Sequence, residues 1–311
     1  MGPRSDREQR YRDAERRWWA HVGVEPMERR VHLPALDVDV RVQEVGVGEP
    51  VLFVHGGPNS GSTWMELVSR LSGLRCLVVD RPGTGLSDPL RRPVDRQNLA
   101  EYGETLAVDV LDALDVDRAH LVVSSFGGYV GIRSAAAHPQ RFDRMVQMAC
   151  PAFTPEMRTP PFMRLIMTPG LGALINRLPP NTTAARQVLR QIGHGASLDA
   201  GRISPEFIDW YVALQRDTDT MAHEVRMISG LGGPLGFDRA ITIPDSVLAA
   251  VQAPTRFLWG ADDTFGAEAT ARRTVAAMPH AEVEMLPEAG HLPWIDDPER
   301  AAKVVLAHLV G

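Results

Sequence analysis

The chain is organised by a rhythm that stops and restarts. Short apolar runs at 51–54 (VLFV), 75–79, 119–124 and 143–149 read as strands. They alternate with helical patterns near 62–71, 98–114 and 127–137. The VLFV run is unbroken and flanked by Gly48 and Gly56, which suits a strand buried on both faces. Alternation of this kind predicts an α/β fold: a mostly parallel central sheet with helices on both faces. The rhythm ends at Pro151. Residues 152–248 show no clear strand, are rich in Pro, Met and Gly, and carry helical patterns near 160–177, 183–193, 204–216 and 219–229. It resumes with a strand at 255–259, a helix at 267–277, a strand at 282–286 and a helix at 297–309. Upstream, 28–33 and 37–46 read as strands, the second alternating as half-buried edge strands do. Residues 6–20 read as a surface helix that Trp18 and Trp19 dock on the body. The expected organisation is a helical extension at 1–24, a core at 25–151 and 249–311, and a helical lid at 152–248.

Composition removes several classes of chemistry. A chain of 311 residues buries a core without disulfides or structural metal. Cys76 and Cys150 are too few for a disulfide framework or a four-thiolate zinc site. A net charge of −6 with no basic block argues against nucleic acid as a partner. Lys303 is the single lysine and sits in a C-terminal helical pattern, so Schiff-base and phosphate-gripping roles are closed. The charged N-terminus lacks an apolar signal core. No run approaches the roughly 20 apolar residues of a membrane span. The expectation is a soluble, cytoplasmic protein without membrane insertion.

Four short motifs each follow a strand. Val122–Gly131 (VVSSFGGYVG) runs from strand to helix through Ser125. On so sharp a turn a serine is pushed into the open, and Gly127 keeps the close approach free of a side chain. A helix N-cap serine is the plainer alternative for this segment taken alone. His55-Gly56-Gly57-Pro58 follows the VLFV strand, and glycines there let N–H groups turn towards a developing oxyanion. Trp259-Gly260-Ala261-Asp262-Asp263 and Gly290-His291-Leu292-Pro293-Trp294 follow the last two strands. A serine, an acid and a histidine after separate strands of one parallel sheet emerge at one edge, where open α/β folds bind ligands. Their chain order is Ser, Asp, His.

These motifs resemble the α/β-hydrolase superfamily, in particular the lidded epoxide hydrolase and dehalogenase-like branch, with a serine as nucleophile. The likeness extends from about residue 28 to the end. Asp80–Asp88 (DRPGTGLSD) resembles the family's D-x-x-G-x-G-x-S loop and is read as shaping the site floor, with Asp80 and Arg81 outside the chemistry. Arg81 is nevertheless the one arginine singled out for testing. The resemblance implies Ser125 as nucleophile, His291 as general base and Asp263 as orienting acid. It implies the N–H groups of Gly57 and Phe126 as oxyanion donors, and a structural His55. In the family the acid stands three residues after the strand-end glycine, which selects Asp263 over Asp262. One departure is Val123, where the family elbow G-x-S-x-G has its first glycine. Its bulk calls for a reshaped turn or for smaller residues facing it.

Dehalogenases and epoxide hydrolases need an aspartate nucleophile, which this chain lacks. The expected function is therefore a serine hydrolase acting on an ester, lactone or thioester of a small hydrophobic compound through an acyl-enzyme. Alternatives are a C–C bond hydrolase, a proline-iminopeptidase-like aminopeptidase, a cofactor-free lyase or oxygenase, and a ligand-binding sensor. The lid methionines Met157, Met163, Met167, Met221 and Met227, with Phe162, Phe207 and Trp210, supply lid core and an adaptable apolar pocket. Trp210 and Leu292 are expected pocket residues. On the aminopeptidase reading the lid acids Glu206, Asp209 and Glu224 could bind an amine, though solvation at the surface explains them more simply. No metal or organic cofactor is implied, and the choice between monomer and homodimer is open.

Overall fold

The computed structural model describes residues 3–175 and 177–311. Met1 and Gly2 of the expected extension, and residue 176 of the expected 160–177 helix, lie outside the described residues. A long helix α1 (Pro3–His21) leads into strands β1 (Met27–Leu33), β2 (Val38–Val45) and β3 (Glu49–Val54). Then come α2 (Met65–Val68), β4 (Leu74–Val79), α3 (Leu99–Ala113), β5 (Ala119–Ser124), α4 (Phe126–Ala137) and β6 (Phe142–Met148). Between β6 and the next strand of the main sheet the chain forms α5 (Pro161–Met167), α6 (Leu171–Ile175), α7 (Thr182–Gln191), α8 (Gly195–Asp199), α9 (Pro205–Asp217) and α10 (Thr220–Leu231). A two-residue ladder, β7 (Gly232–Gly233) with β8 (Gly236–Phe237), and α11 (Asp245–Ala250) follow. The chain closes with β9 (Thr255–Gly260), α12 (Glu268–Ala276), β10 (Ala281–Leu286), α13 (Pro293–Asp296) and α14 (Pro298–Leu309).

The main sheet has eight strands in the order β1-β2-β4-β3-β5-β6-β9-β10. β1 and β2 pair antiparallel, β2 joins β4 antiparallel, and every later pairing is parallel. The α/β fold is as expected. The central strands are rich in apolar residues because helices cover both faces: β5 and Val51–Val54 of β3 are buried. The C-terminal ends of β3, β5 and β9 therefore deliver His55, Ser125 and Asp263 to one edge.

The structure differs from the expected elements in several places, and the short helices α8, α11 and α13 have no counterpart in the expected pattern. The 160–177 helix breaks between α5 and α6, where Pro169 cannot donate a backbone hydrogen bond and Gly170 takes φ +79°. The 62–71 helix is a tight turn over Gly61–Trp64 followed by one turn of α2. Asp80 takes the Gly61 N–H at 2.7 Å, and Trp64 is wedged against Trp294 with ring centroids 4.1 Å apart. Finally, the β7/β8 ladder lies in a region that showed no strand pattern.

Helix α1 does more than lie on the surface. Trp18 and Trp19 are buried, as their apolar character required, and Trp18 packs on Trp210 of α9 with centroids 4.7 Å apart. Glu15 is only 3% exposed and meets Arg41 of β2, itself 2% exposed. Arg41 also reaches Asp80 at 3.3 Å and Glu28 at 2.9 Å, and the Ser62 hydroxyl donates to Glu15. Charges this deep are tolerated only when paired. Removing Glu15 strands Arg41 with fewer partners. Glu15→Ala is expected to lower unfolding free energy by about 3 kcal/mol, the low end for a broken buried pair because Asp80 and Glu28 remain. Urea denaturation checks it.

Candidate active site

The centre of the site is a backbone turn. β5 ends at Ser124 and α4 begins at Phe126, leaving Ser125 alone between them with φ 52° and ψ −118°. A non-glycine residue adopts such angles only when its surroundings force it. The surroundings here are close backbone. A Cβ on Gly127 would lie 2.0 Å from the Val54 carbonyl oxygen, and one on Gly56 would lie 2.6 Å from Ser125 Cβ. Val123, in place of the usual elbow glycine, is accommodated by a small residue opposite: a Cβ on Gly131 of α4 would lie 2.9 Å from Val123 Cγ1. The turn keeps its form because the volume gained on the strand is absent from the helix.

His291 and Asp263 come together from the loops after β10 and β9. The imidazole Nδ1 donates to Asp263 Oδ2 at 2.9 Å. The same oxygen accepts the Cys150 N–H at 3.0 Å, and Oδ1 accepts the Phe265 N–H at 2.9 Å. Three donors therefore hold this carboxylate, while Asp262 beside it is exposed. His291 Nε2 is buried and has no hydrogen-bond partner among the described residues. The His291 ring packs on Phe265 with centroids 4.3 Å apart. Cys150 lies alongside, but burial and then the charge of Asp263 push its thiol well above the ordinary range, so it stays protonated and unreactive.

Ser125 and His291 line one cavity of about 140 Å³, together with Gly57 and Phe126. Its walls are apolar. Phe153, Phe162, Met157, Met163, Met221 and Met227 contribute, whereas Met167 is buried outside it. Tyr211, Gln215 and Glu224 are its other polar side chains, and among the described residues no arginine or lysine lines it. Two expected pocket residues do not line it. Trp210 is fully buried between α1 and α9, its indole N–H directed to the Tyr11 hydroxyl at 3.4 Å, because the pattern that buries it faces α1 and not the cavity. Leu292 is buried in the core beside Trp294, since the chain turns into α13 directly after His291.

Glu224 also departs from expectation. It is 4% exposed, not solvated, and its Oε1 accepts from Arg81 Nη2 at 2.7 Å. Arg81 further donates to the carbonyls of His55 (3.0 Å) and Gly56 (3.2 Å), and its guanidinium stands 4.8 Å from the Phe126 ring centre. The floor loop is thereby tied to α10. A signal for this was available: Thr220, Glu224, Met227 and Leu231 fall on one helix face, and all four are buried. His55 is neutral, driven well below the usual imidazole range by burial and by Arg81. It donates from Nδ1 to Gly56 O at 2.6 Å and accepts the Arg81 N–H at 3.2 Å.

Residues 51–304 match the sequence model of the alpha/beta hydrolase family. This chain belongs to that family. Among curated proteins, this alpha/beta hydrolase is 26% identical over 269 residues to a 2-hydroxy-6-oxononadienedioate/2-hydroxy-6-oxononatrienedioate hydrolase of Cupriavidus pinatubonensis, covering 82% of this chain and 86% of the relative. Among solved structures it resembles the carboxylesterase CesB of Bacillus subtilis, with TM-score 0.73, 20% identity and 98% of each chain covered. It also resembles a 2-hydroxy-6-oxo-6-phenylhexa-2,4-dienoate hydrolase of Rhodococcus, with TM-score 0.76, 17% identity, and 93% of this chain and 100% of the other covered. At these identities the structural likeness speaks for the fold. Among the described residues no helix is long and apolar enough to cross a membrane.

The fit between Val123 and Gly131 is open to a direct test. Gly131→Ala places a methyl against both Val123 methyls and is expected to cost about 1–3 kcal/mol, as overpacking does. Val123→Ala in the same chain is expected to return much of that loss. A double-mutant cycle of urea midpoints and ester turnover measures both.

Proposed function

We propose that this alpha/beta hydrolase is a serine hydrolase that cleaves an ester, lactone or thioester of an uncharged, hydrophobic small molecule through an acyl-enzyme on Ser125. The observation that carries the reading is the state of His291. One ring nitrogen is held by Asp263, while the other is buried, unpartnered and on the wall of the cavity that Ser125 lines. Because Nδ1 carries the proton given to Asp263, Nε2 carries the lone pair. It is then the group that takes the Ser125 proton as the hydroxyl attacks the carbonyl. Asp263 stabilises the imidazolium that forms. The N–H groups of Gly57 and Phe126 receive the negative charge on the tetrahedral oxygen, the second at the start of a helix, where the dipole adds to its effect. The imidazolium protonates the leaving oxygen or sulfur. His291 then activates the water that releases the acyl group. The helices between β6 and β9 act as the lid that keeps this exchange apart from bulk solvent.

The substrate class follows from the lining. Apolar walls favour an apolar acyl group. An anionic chain entering here would meet Glu224, already paired with Arg81, and, among the described residues, no lining cation. A C–C bond hydrolase is the second reading, supported by the names of curated relatives at 26% identity over most of the chain. The dioate in those relatives' names carries charges that this cavity does not complement.

The purified protein is expected to hydrolyse p-nitrophenyl butyrate and to take a fluorophosphonate label on Ser125, located by mass spectrometry. Ser125→Ala should abolish both. Asp263→Asn should lower kcat by about 10⁴-fold, the loss seen when a serine-protease triad is left with the wrong histidine tautomer. Inertness to short esters and to the label overturns the reading. Faster cleavage of a dienedioate than of any neutral ester overturns the substrate class.

A further inference from the structure

The loop that carries His291 is gripped by the helical insertion. Three successive backbone N–H groups, those of Gly290, His291 and Leu292, each have a defined acceptor. Gly290 N–H donates to Asp296 Oδ2 at 2.9 Å. His291 N–H donates to the Ile192 carbonyl at 2.9 Å. Leu292 N–H donates to His194 Nε2 at 3.2 Å. His194 and Asp296 are themselves a buried pair, with His194 Nδ1 2.8 Å from Asp296 Oδ2. A backbone N–H can only donate, so Nε2 of His194 must hold the lone pair and Nδ1 the proton that goes to Asp296. One acid and one imidazole thus fix the amides on either side of the proposed base.

The approach of the two segments is as close as backbone allows. Gly193 has φ +101°, and a Cβ on it would lie 2.2 Å from the Asp262 carbonyl oxygen. A Cβ on Gly290 would lie 2.6 Å from the Gly193 carbonyl carbon. The same segment also meets the acid loop: Thr264 Oγ1 donates to the Gln191 carbonyl at 3.1 Å. Residues 191–194 therefore touch both the loop of Asp263 and the loop of His291.

We propose that His194 is a positioning residue, which sets the His291 backbone through the Leu292 N–H and so fixes the ring against Ser125. This rests on the reading of His291 as general base. Small displacements of such a group are costly: about 1 Å of misplacement lowers turnover by roughly a hundredfold.

The experiment compares His194→Gln and His194→Asn in the full chain with p-nitrophenyl butyrate as substrate and His291→Ala as control. Glutamine places an amide oxygen near the position of Nε2 and can accept the Leu292 N–H. Asparagine reaches only as far as Nδ1, keeping a partner for Asp296 and losing Leu292. The expected result is a fall in kcat of about 10–100-fold for Asn at nearly constant KM, and a much smaller fall for Gln. Hydrogen–deuterium exchange of the peptide over 288–294 should speed up in the Asn variant and stay close to wild type in the Gln variant. Equal kcat values for Asn and wild type, or equal losses in Asn and Gln with unchanged exchange, overturn the proposal. If His291→Ala keeps its activity, the base assignment fails and the positioning role fails with it. If His291→Ala is inactive while Asn turns over normally, only the positioning role fails.

Discussion

At the top of the sheet the end of β3 and the start of α4 meet with no side chain between them. Gly127 faces the Val54 carbonyl, and Gly56 faces Ser125. Everything in the site is referred to this contact. It forces Ser125 into its strained angles and brings the Gly57 loop alongside the first N–H of α4. The parallel pairing of β3 with β5, in which Val54 stands beside Val123, sets the height at which the two segments meet. Chemistry at this edge is a consequence of strand register before it is a consequence of any polar side chain.

Around that contact, buried arginines join parts of the fold. Arg81 joins the floor loop to α10, and Arg41 joins α1 to β2 and the floor loop. Both arginines are enclosed, and each has carboxylate and polar partners close enough to offset the loss of water. Asp80 binds the N–H groups of Gly61 and Leu86 as well as Arg41, which makes the glycine-rich loop a fixed wall. The cavity itself is left with little charge and mostly apolar walls.

Much of this was legible from residue order. Strand runs of four to six apolar residues survive intact because burial on both faces leaves them no other partner. The serine, acid and histidine motifs were legible because each combines a strand end with glycine. What was not legible depends on partners far along the chain. Trp210 looked like a pocket residue until α1 was seen to cover it. Leu292 follows His291 in sequence yet enters the core, since direction after a turn is set by packing. Glu224 carried a helical-face signal, but without knowledge of Arg81 an acid reads as surface. His194 had no sequence signal at all, because its partners Asp296 and Leu292 lie about a hundred residues on.

Helix α1 has a consequence for how the chain reaches this state. Its contacts are with β2, with the Gly61 turn and with α9, and the bond from Trp210 to Tyr11 spans 199 positions. Until α9 is formed, Tyr11, Trp18 and Trp19 have only part of their burial site. Glu15 meanwhile holds Arg41 on a sheet whose outer face is still open. Contacts so distant in sequence carry a large loop-closure cost. Helices α1 and α9 thus share one burial site, and loosening either one opens the other to solvent.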